Sequence, residues 1–505
     1  MKKSTPNYKD YLHPHGAHQQ ELRTPQMKVP SRLFVSDDLL PSNETLAQIE
    51  SIAANDGLFR HTAAMSDVCS KPGRKNASGT TIVSEHHILP QVNDSDPNCG
   101  MRLVRTNLHE DTFSADDIDR LFQSLVSVVP TKTYVGTTVS FDTVVDICRK
   151  GTQAAIDALG MKTRNEIENS MSAGNFFGKE MSRREIFDAI PRLFLFMARH
   201  RLGIIGAAGN HFVDLMKVTD IVDADRARKL NLAKGQYLFM VHTGSGILGQ
   251  YTMYMYTAKR REHMSQSLMV ALGRATFDSQ LKKIYESMAR KIEKHMTKES
   301  LLSYDADSME GKLYMTARDA ASNFGTANRA TIIHNISETI KTVFDRDPAM
   351  DLLYDLPHIY IGKENHFGKN VWVHRNNTSR AYGPSRMAHH PLFGQTGEPV
   401  FIPSSMSTAA YIGVGTDNNE DTFFSAPHGT GKAARHSEDD VPQNRTELFE
   451  KMARKGVKLY NARSSKVMNQ DSSRYKNIER VINGVVDNKI ATIVAKMEPV
   501  AVIMY

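Results

Sequence analysis

Apolar and polar positions along the 505-residue chain follow two rhythms. Between about residues 140 and 345, apolar side chains recur every three to four positions, the period of a helix with one buried face. The clearest case is SRREIFDAIPRLFLFMARHRLG. Ser182 and Glu185 form a capping-box pair there, and Ile186, Ile190, Leu193 and Met197 lie along one stripe. Pro191 predicts a kink in this helix and Gly203 its stop. TANRATIIHNISETIKTVF reads as a second helix. Short β-type runs, QYLFMVH, NVWVH and EPVFIP, lie among the helices and end in polar or glycine-rich turns. Helices and strands mix without a βαβ rhythm, so the expected class is α+β, with mixed sheets flanked by helices. Residues 1–35 are polar and proline-punctuated, which predicts an N-terminal arm over the surface. Residues 36–505 are then expected to form the main domain.

Composition narrows the partners. Apolar residues make up 40% and charged residues 24%, enough for a large core under a polar surface. No run approaches the roughly 20 apolar residues of a membrane span, and MKKSTPNYKDYLHPHG lacks a leader's apolar stretch. Three cysteines, Cys69, Cys99 and Cys148, form no disulfide framework, so a reducing, cytoplasmic setting is expected. A net charge of +7 suits a polyanionic partner such as nucleic acid. GxxxxGK[ST] does not occur, and the lone GxGxxG at Gly244–Gly249 (GSGILG) sits in no βαβ rhythm, so a Rossmann or P-loop nucleotide site is not supported.

Candidate chemistry lies where apolar runs meet turns. Cys99 follows Asp96 by three residues and precedes a glycine, in DPNCGMRLVRTNL. A thiol there serves either as a small apolar filler or as a metal ligand. His211 (GAAGNHFVDL), His242 (FMVHTGSG), His358 (YDLPHIYIG) and His428 (FFSAPHGTGK) share one setting: an apolar run meeting a turn rich in glycine or proline. Carboxylate, thiolate and imidazole together suit a transition metal rather than calcium or magnesium. The spacing fits no zinc finger, so such ligands would converge from distant segments. In NHFVDL, strand alternation sends His211 and Asp214 to opposite faces and gives Asp214 a separate task.

In this order the motifs resemble the RtcB family of RNA-splicing ligases. The family's DxxCGM is met by Asp96 to Met101, GNHF by Gly209 to Phe212, and H[ST]GS by His242 to Ser245. AxNxAxANR is met by Ala321 to Arg329, DVAHN is echoed at Asp355 to His358, and VHRxxxxRA runs from Val373 to Ala381. IPxSMxT runs from Ile402 to Thr408, and HGxG from His428 to Gly431.

The resemblance implies a single catalytic domain with its active site at strand ends. The activity implied is a GTP-dependent RNA ligase with two manganese ions, joining 3′-phosphate or 2′,3′-cyclic phosphate ends to 5′-hydroxyl ends. By analogy Asp96, Cys99 and His211 hold one ion, and Cys99, His242 and His358 the other. His428 matches the nucleophile that forms histidine–GMP, and Asp67 an aspartate near the reacting ends. Asn210, His211, Asp214, His358 and Tyr475 are expected at the nucleotide, with Pro403, Ser404, Ser405, Met406, Gly429, Thr430 and Gly431 in loops around it. RNA partners such as tRNA halves, an archease-type activator and a monomeric state are implied as well.

Five cations between His358 and His390 (Lys363, Lys369, Arg375, Arg380 and Arg386) are expected to contact RNA phosphates. The chain departs from the family at Gly246 and Ile247, Asn376 and Asn377, Ala410, Asp214, Lys432 and Met504–Tyr505. Alternative readings are a metal-dependent RNA-end phosphoesterase, a 3′-phosphate capping enzyme without sealing, or a non-catalytic RNA-binding relative.

Overall fold

The computed structural model describes residues 6–504 except 72, 94–95, 132–134, 163, 207–209, 260–262, 278, 298–299, 434–440 and 461–464. Gly209 of the GNHF motif and the terminal Tyr505 lie outside these. The fold is α+β. Numbering strands along the chain, one sheet contains β1 (Leu12–Pro14), β2 (Gln20–Leu22), β3 (Ser31–Leu33), β4 (Thr62–Cys69), β5 (Ser78–Ser84), β10 (Ile359–His366) and β11 (Lys369–Asn376). Its order is β1-β2-β3-β4-β5-β11-β10. The polar segment before residue 36 thus lies on the sheet edge as three short strands, with Leu22, Leu33, Phe34 and Val35 buried.

The larger sheet contains β6 (Gly100–His109), β7 (Phe212–Ile221), β8 (Gln236–Thr243), β9 (Met350–Pro357), β12 (Pro399–Ile402), β13 (Ala410–Gly415), β14 (Lys458–Tyr460) and β15 (Ala491–Met504). Its order is β9-β6-β8-β7-β15-β13-β12, with β14 beside β15. Both faces are covered. On β7, Val213 and Leu215 join a core with Phe239 and Ile332, while Phe212 and Met216 join one with Leu238 and Phe401. That alternation is the period-two pattern of a pleated strand.

Register places the functional turns together. Gly100 pairs with both Thr243 and Pro357, Met101 with His242, and Phe212 with His242. Antiparallel neighbours therefore bring the start of β6, the start of β7, the end of β8 and the end of β9 to one sheet edge.

Two helical expectations change in detail. TANRATIIHNISETIKTVF is the second half of a 36-residue helix, Met309–Phe344, capped by Ser308. Its first half escapes a periodicity reading because it is buried around most of its circumference. The stretch from Ser182 forms two helices, Arg183–Ala189 and Arg192–Ala198, rather than one kinked helix. Ile190 is extended (φ −125°, ψ 123°), because the Pro191 ring disfavours helical backbone at the residue before it. The capping box of Ser182 and Glu185 is present. Among the described residues, no helix is long and apolar enough to cross a membrane.

Candidate active site

At the shared sheet edge, Cys99 Sγ lies 3.2 Å from His211 Nε2 and 3.4 Å from His242 Nε2. The three donor atoms fall within 4.8 Å of one another, and all three residues are buried. His358 extends the group, its Nε2 3.3 Å from His242 Nε2. The imidazoles are aimed. His211 Nδ1 lies 2.8 Å from the Ile205 carbonyl, and His242 Nδ1 2.8 Å from the Asn210 carbonyl. Each carbonyl accepts a hydrogen bond from Nδ1–H, which leaves the Nε2 lone pair facing the thiol. Burial lowers His211 to about 4 and holds His242 and His358 well below the ordinary histidine range, so all three are neutral at pH 7. Burial pushes the Cys99 thiol up. Neutral imidazoles and a thiol with a displaceable proton are the donor set of a transition-metal site.

Asp96 takes a different place. Its Oδ1 accepts from the Ser245 amide at 3.1 Å and from the Ser245 hydroxyl, and its Oδ2 from the Gly246 amide at 3.1 Å. It thus braces the start of the helix Gly246–Tyr256, outside the three-donor group. Desolvation raises it to about 6.

The turns are held from behind by the helix Met309–Phe344. Arg329 donates to Asn98 O and Thr243 O, both at 2.8 Å, and to Asp355 Oδ2 at 2.9 Å. One guanidinium therefore ties the turn before Cys99 to the turn after His242. Asn328 grips Ile204 O at 3.0 Å and Gly244 O at 3.1 Å, while Asn98 Nδ2 donates to Ser322 O at 2.6 Å. Asp355, shared by Arg329 and Arg102, is held below the usual carboxylate range by these two cations. Gly100 permits the approach of β9: a Cβ there would meet Leu356 O at 2.5 Å. This bracing task of the AxNxAxANR run was missed at the level of sequence. Its signal was available, since several large polar side chains crowd one stretch of a helix that lacks an apolar stripe.

His428 joins this cluster to a cavity of about 390 Å³. Its ring centroid lies 4.6 Å from that of His358, and its Nδ1 lies 2.9 Å from Asp67 Oδ2. An imidazole that attacks as a neutral nucleophile needs an acceptor at its other nitrogen, and Asp67 fills that place. Asp67 is buried on β4, and Gly431 (φ +69°) packs against it so closely that a Cβ would meet Asp67 O at 1.9 Å. The cavity is lined by Asn210, Asp214, residues 403–406, residues 428–431 and Tyr475. His211 and His358 sit in the donor cluster instead. Ser404 and Thr430 link the two loops through their hydroxyls at 3.0 Å. Asp214 is buried, its Oδ1 has no hydrogen-bond partner among the described residues, and desolvation raises it well above the ordinary carboxylate range.

This arrangement of motif residues coincides with a match along almost the whole chain. The family model described as tRNA-splicing ligase RtcB matches residues 48–505. The chain belongs to the RtcB family. A tRNA-splicing ligase RtcB of Thermococcus kodakarensis is 27% identical over 492 residues, covering 94% of this chain and 95% of the relative. The one from Methanococcus maripaludis is 28% identical over 493 residues, covering 94% and 95%. The one from Pyrococcus furiosus is 30% identical over 418 residues, covering 80% of this chain and 39% of that longer relative.

Within this RtcB frame, one expectation needs correcting. Arg375 and Arg380 are not free for RNA phosphates. Arg375 is buried against Glu364 at 2.5 Å and 2.9 Å, and Arg380 binds the buried Glu398 at 2.7 Å. Lys369 pairs with Glu85 at 3.2 Å, and Arg386 donates to Asn365 O at 2.5 Å. A count of charges along a hairpin does not see which acids fold back onto it. Five departures from the family pattern line the cavity: Asp214, Asn377, Ala410, Lys432 and Met504. Lys432 lies over the Tyr475 ring at 3.7 Å, and Met504 lines the wall.

Proposed function

We propose that residues 36–505 form the catalytic unit of a GTP-dependent RNA ligase. It joins a 3′-phosphate or 2′,3′-cyclic phosphate end to a 5′-hydroxyl through a histidine–GMP at His428. The observation that carries this reading is His428 itself, fixed by Asp67 at 2.9 Å and with its ring tilted against that of His358 at the junction of donor cluster and cavity.

With its Nδ1–H donating a hydrogen bond to Asp67, His428 presents Nε2 as the nucleophilic atom. Nε2 forms a bond to the α-phosphorus of GTP while the α–β bridging P–O bond breaks and pyrophosphate leaves. Asp67 stabilises the imidazolium that results. An oxygen of the RNA 3′-phosphate then attacks the same phosphorus, and the P–N bond breaks to return neutral His428. The 5′-hydroxyl attacks the activated 3′-phosphorus and GMP departs. A cyclic phosphate must first be opened by water. Cys99, His211, His242 and His358 would hold the metal, manganese in this reading, with Asp96 alongside. Bound there, divalent ions neutralise the charge on the phosphates. Asp214 and Asn210 would meet the nucleotide at the inner wall.

Incubation of a 5′-hydroxyl strand with a cyclic-phosphate strand, manganese and GTP should yield a joined product. Hydrolysed or guanylated ends without joining would support the phosphoesterase or capping reading instead.

A further inference from the structure

We propose that a second cavity, beside the His428 loop, seats the sugar–phosphate chain of one RNA strand and leads its end to the reacting atoms. The proposal rests on the ligase reading above. This cavity, about 660 Å³, is larger than the one containing His428. The two share a wall of Cys69, Ser70, Ser404, Thr408, Lys432 and Tyr475. Such a volume accepts a ligand of nucleotide size.

Its lining is that of a polyanion site. Lys432, Lys476 and Arg480 face it against one carboxylate, Asp38, which pairs with Arg480 at 3.2 Å on the exposed rim. Among the described residues, no carboxylate pairs with either lysine. Lys432 donates to Asn469 O and Gln470 Oε1, and Lys476 to Ser66 O at 2.9 Å and Val68 O at 2.6 Å. Carbonyl and amide oxygens hold the N–H groups, Asp471 and Asp67 act on Lys432 and Lys476 only from a distance, and burial lowers both ammonium groups, Lys432 to about 8. A phosphate beside them would supply a direct counter-charge. Ser472 and Ser473 add polar lining suited to phosphate and ribose oxygens. Lys476 also joins the cavity to the chemistry, because Ser66 and Val68 flank Asp67, the partner of His428.

Arg480 and Ser472 line this cavity and not the first. The test measures fluorescence anisotropy of two labelled single-stranded RNAs, one ending in a 3′-phosphate and one beginning with a 5′-hydroxyl, on full-length protein. Arg480→Glu and Ser472→Glu should each weaken binding of one of these strands about tenfold. Arg480→Glu should also flatten the log–log salt dependence by about 0.7 for each RNA phosphate that Arg480 neutralises. Label transfer from GTP to the protein without RNA should stay within about twofold, which also reports that the fold is intact. Unchanged affinity and salt slope for both strands in both variants would overturn the proposal. If the variants lose RNA affinity while wild-type protein takes no label from GTP, the ligase reading falls and the cavity assignment stands.

Discussion

A buried thiol surrounded by neutral imidazoles has one proton to lose before it becomes an anionic donor. His211 titrates at about 4, with His242 and His358 held low as well, so none of them carries a proton to displace at pH 7. Asp96, at about 6, is mostly ionised by then. Cys99, raised by burial, is still protonated. Metal uptake should therefore strengthen with rising pH, by about tenfold per pH unit between roughly pH 7 and 8.5, with one proton released. Titration calorimetry in buffers of different ionisation enthalpy measures that number, and a release of none or of three contradicts the assignment. The Asp67–His428 pair makes a second prediction. Asp67→Asn keeps the shape but removes the charge that stabilises an imidazolium, so guanylyl transfer should slow by about 10²–10⁴-fold. Metal uptake should be unchanged in the same protein.

At the scale of elements, the site depends on four strand ends meeting and on one helix gripping them. Gly100→Ala would force β6 away from Leu356 O, where the added Cβ comes within 2.5 Å. A loss of about 1–3 kcal/mol in stability is expected, together with weaker metal uptake, because Cys99 is the preceding residue. Chemical denaturation and metal titration on the same preparation check both. Arg329→Met would leave Asp355 with only Arg102 and release two turn carbonyls, at a cost of about 3–5 kcal/mol.

These dependencies were only partly legible in the sequence. The strands QYLFMVH, NVWVH and EPVFIP could be read because each is short, apolar and bounded by a turn. The histidines could be read because each sits where such a run meets a turn. The long helix was half hidden, since burial on several sides erases the 3.6-residue stripe. Arg375 and Arg380 were misread for a related reason. Glu364 lies eleven residues from Arg375 and Glu398 eighteen from Arg380, and only folding shows that they neutralise the stretch.

Across the whole molecule, the first 35 residues complete a sheet edge. Tyr8, Leu22, Leu33, Phe34 and Val35 bury there against the rest of the chain, each contributing about 1.5–3 kcal/mol of burial at most. A chain beginning at residue 36 should melt several degrees lower than the full chain by calorimetry; an equal melting temperature would mean that the edge strands carry no stability. The catalytic reading itself concerns a union of parts from across 361 positions, Asp67 to His428, beside a four-residue donor cluster. Its most direct test is to incubate the full chain with manganese and α-labelled GTP and map the label by peptide mass spectrometry. The account predicts one guanylyl group, on His428, absent in His428→Ala and strongly reduced in Asp67→Asn. A protein that takes no label, or whose label survives His428→Ala, would contradict it.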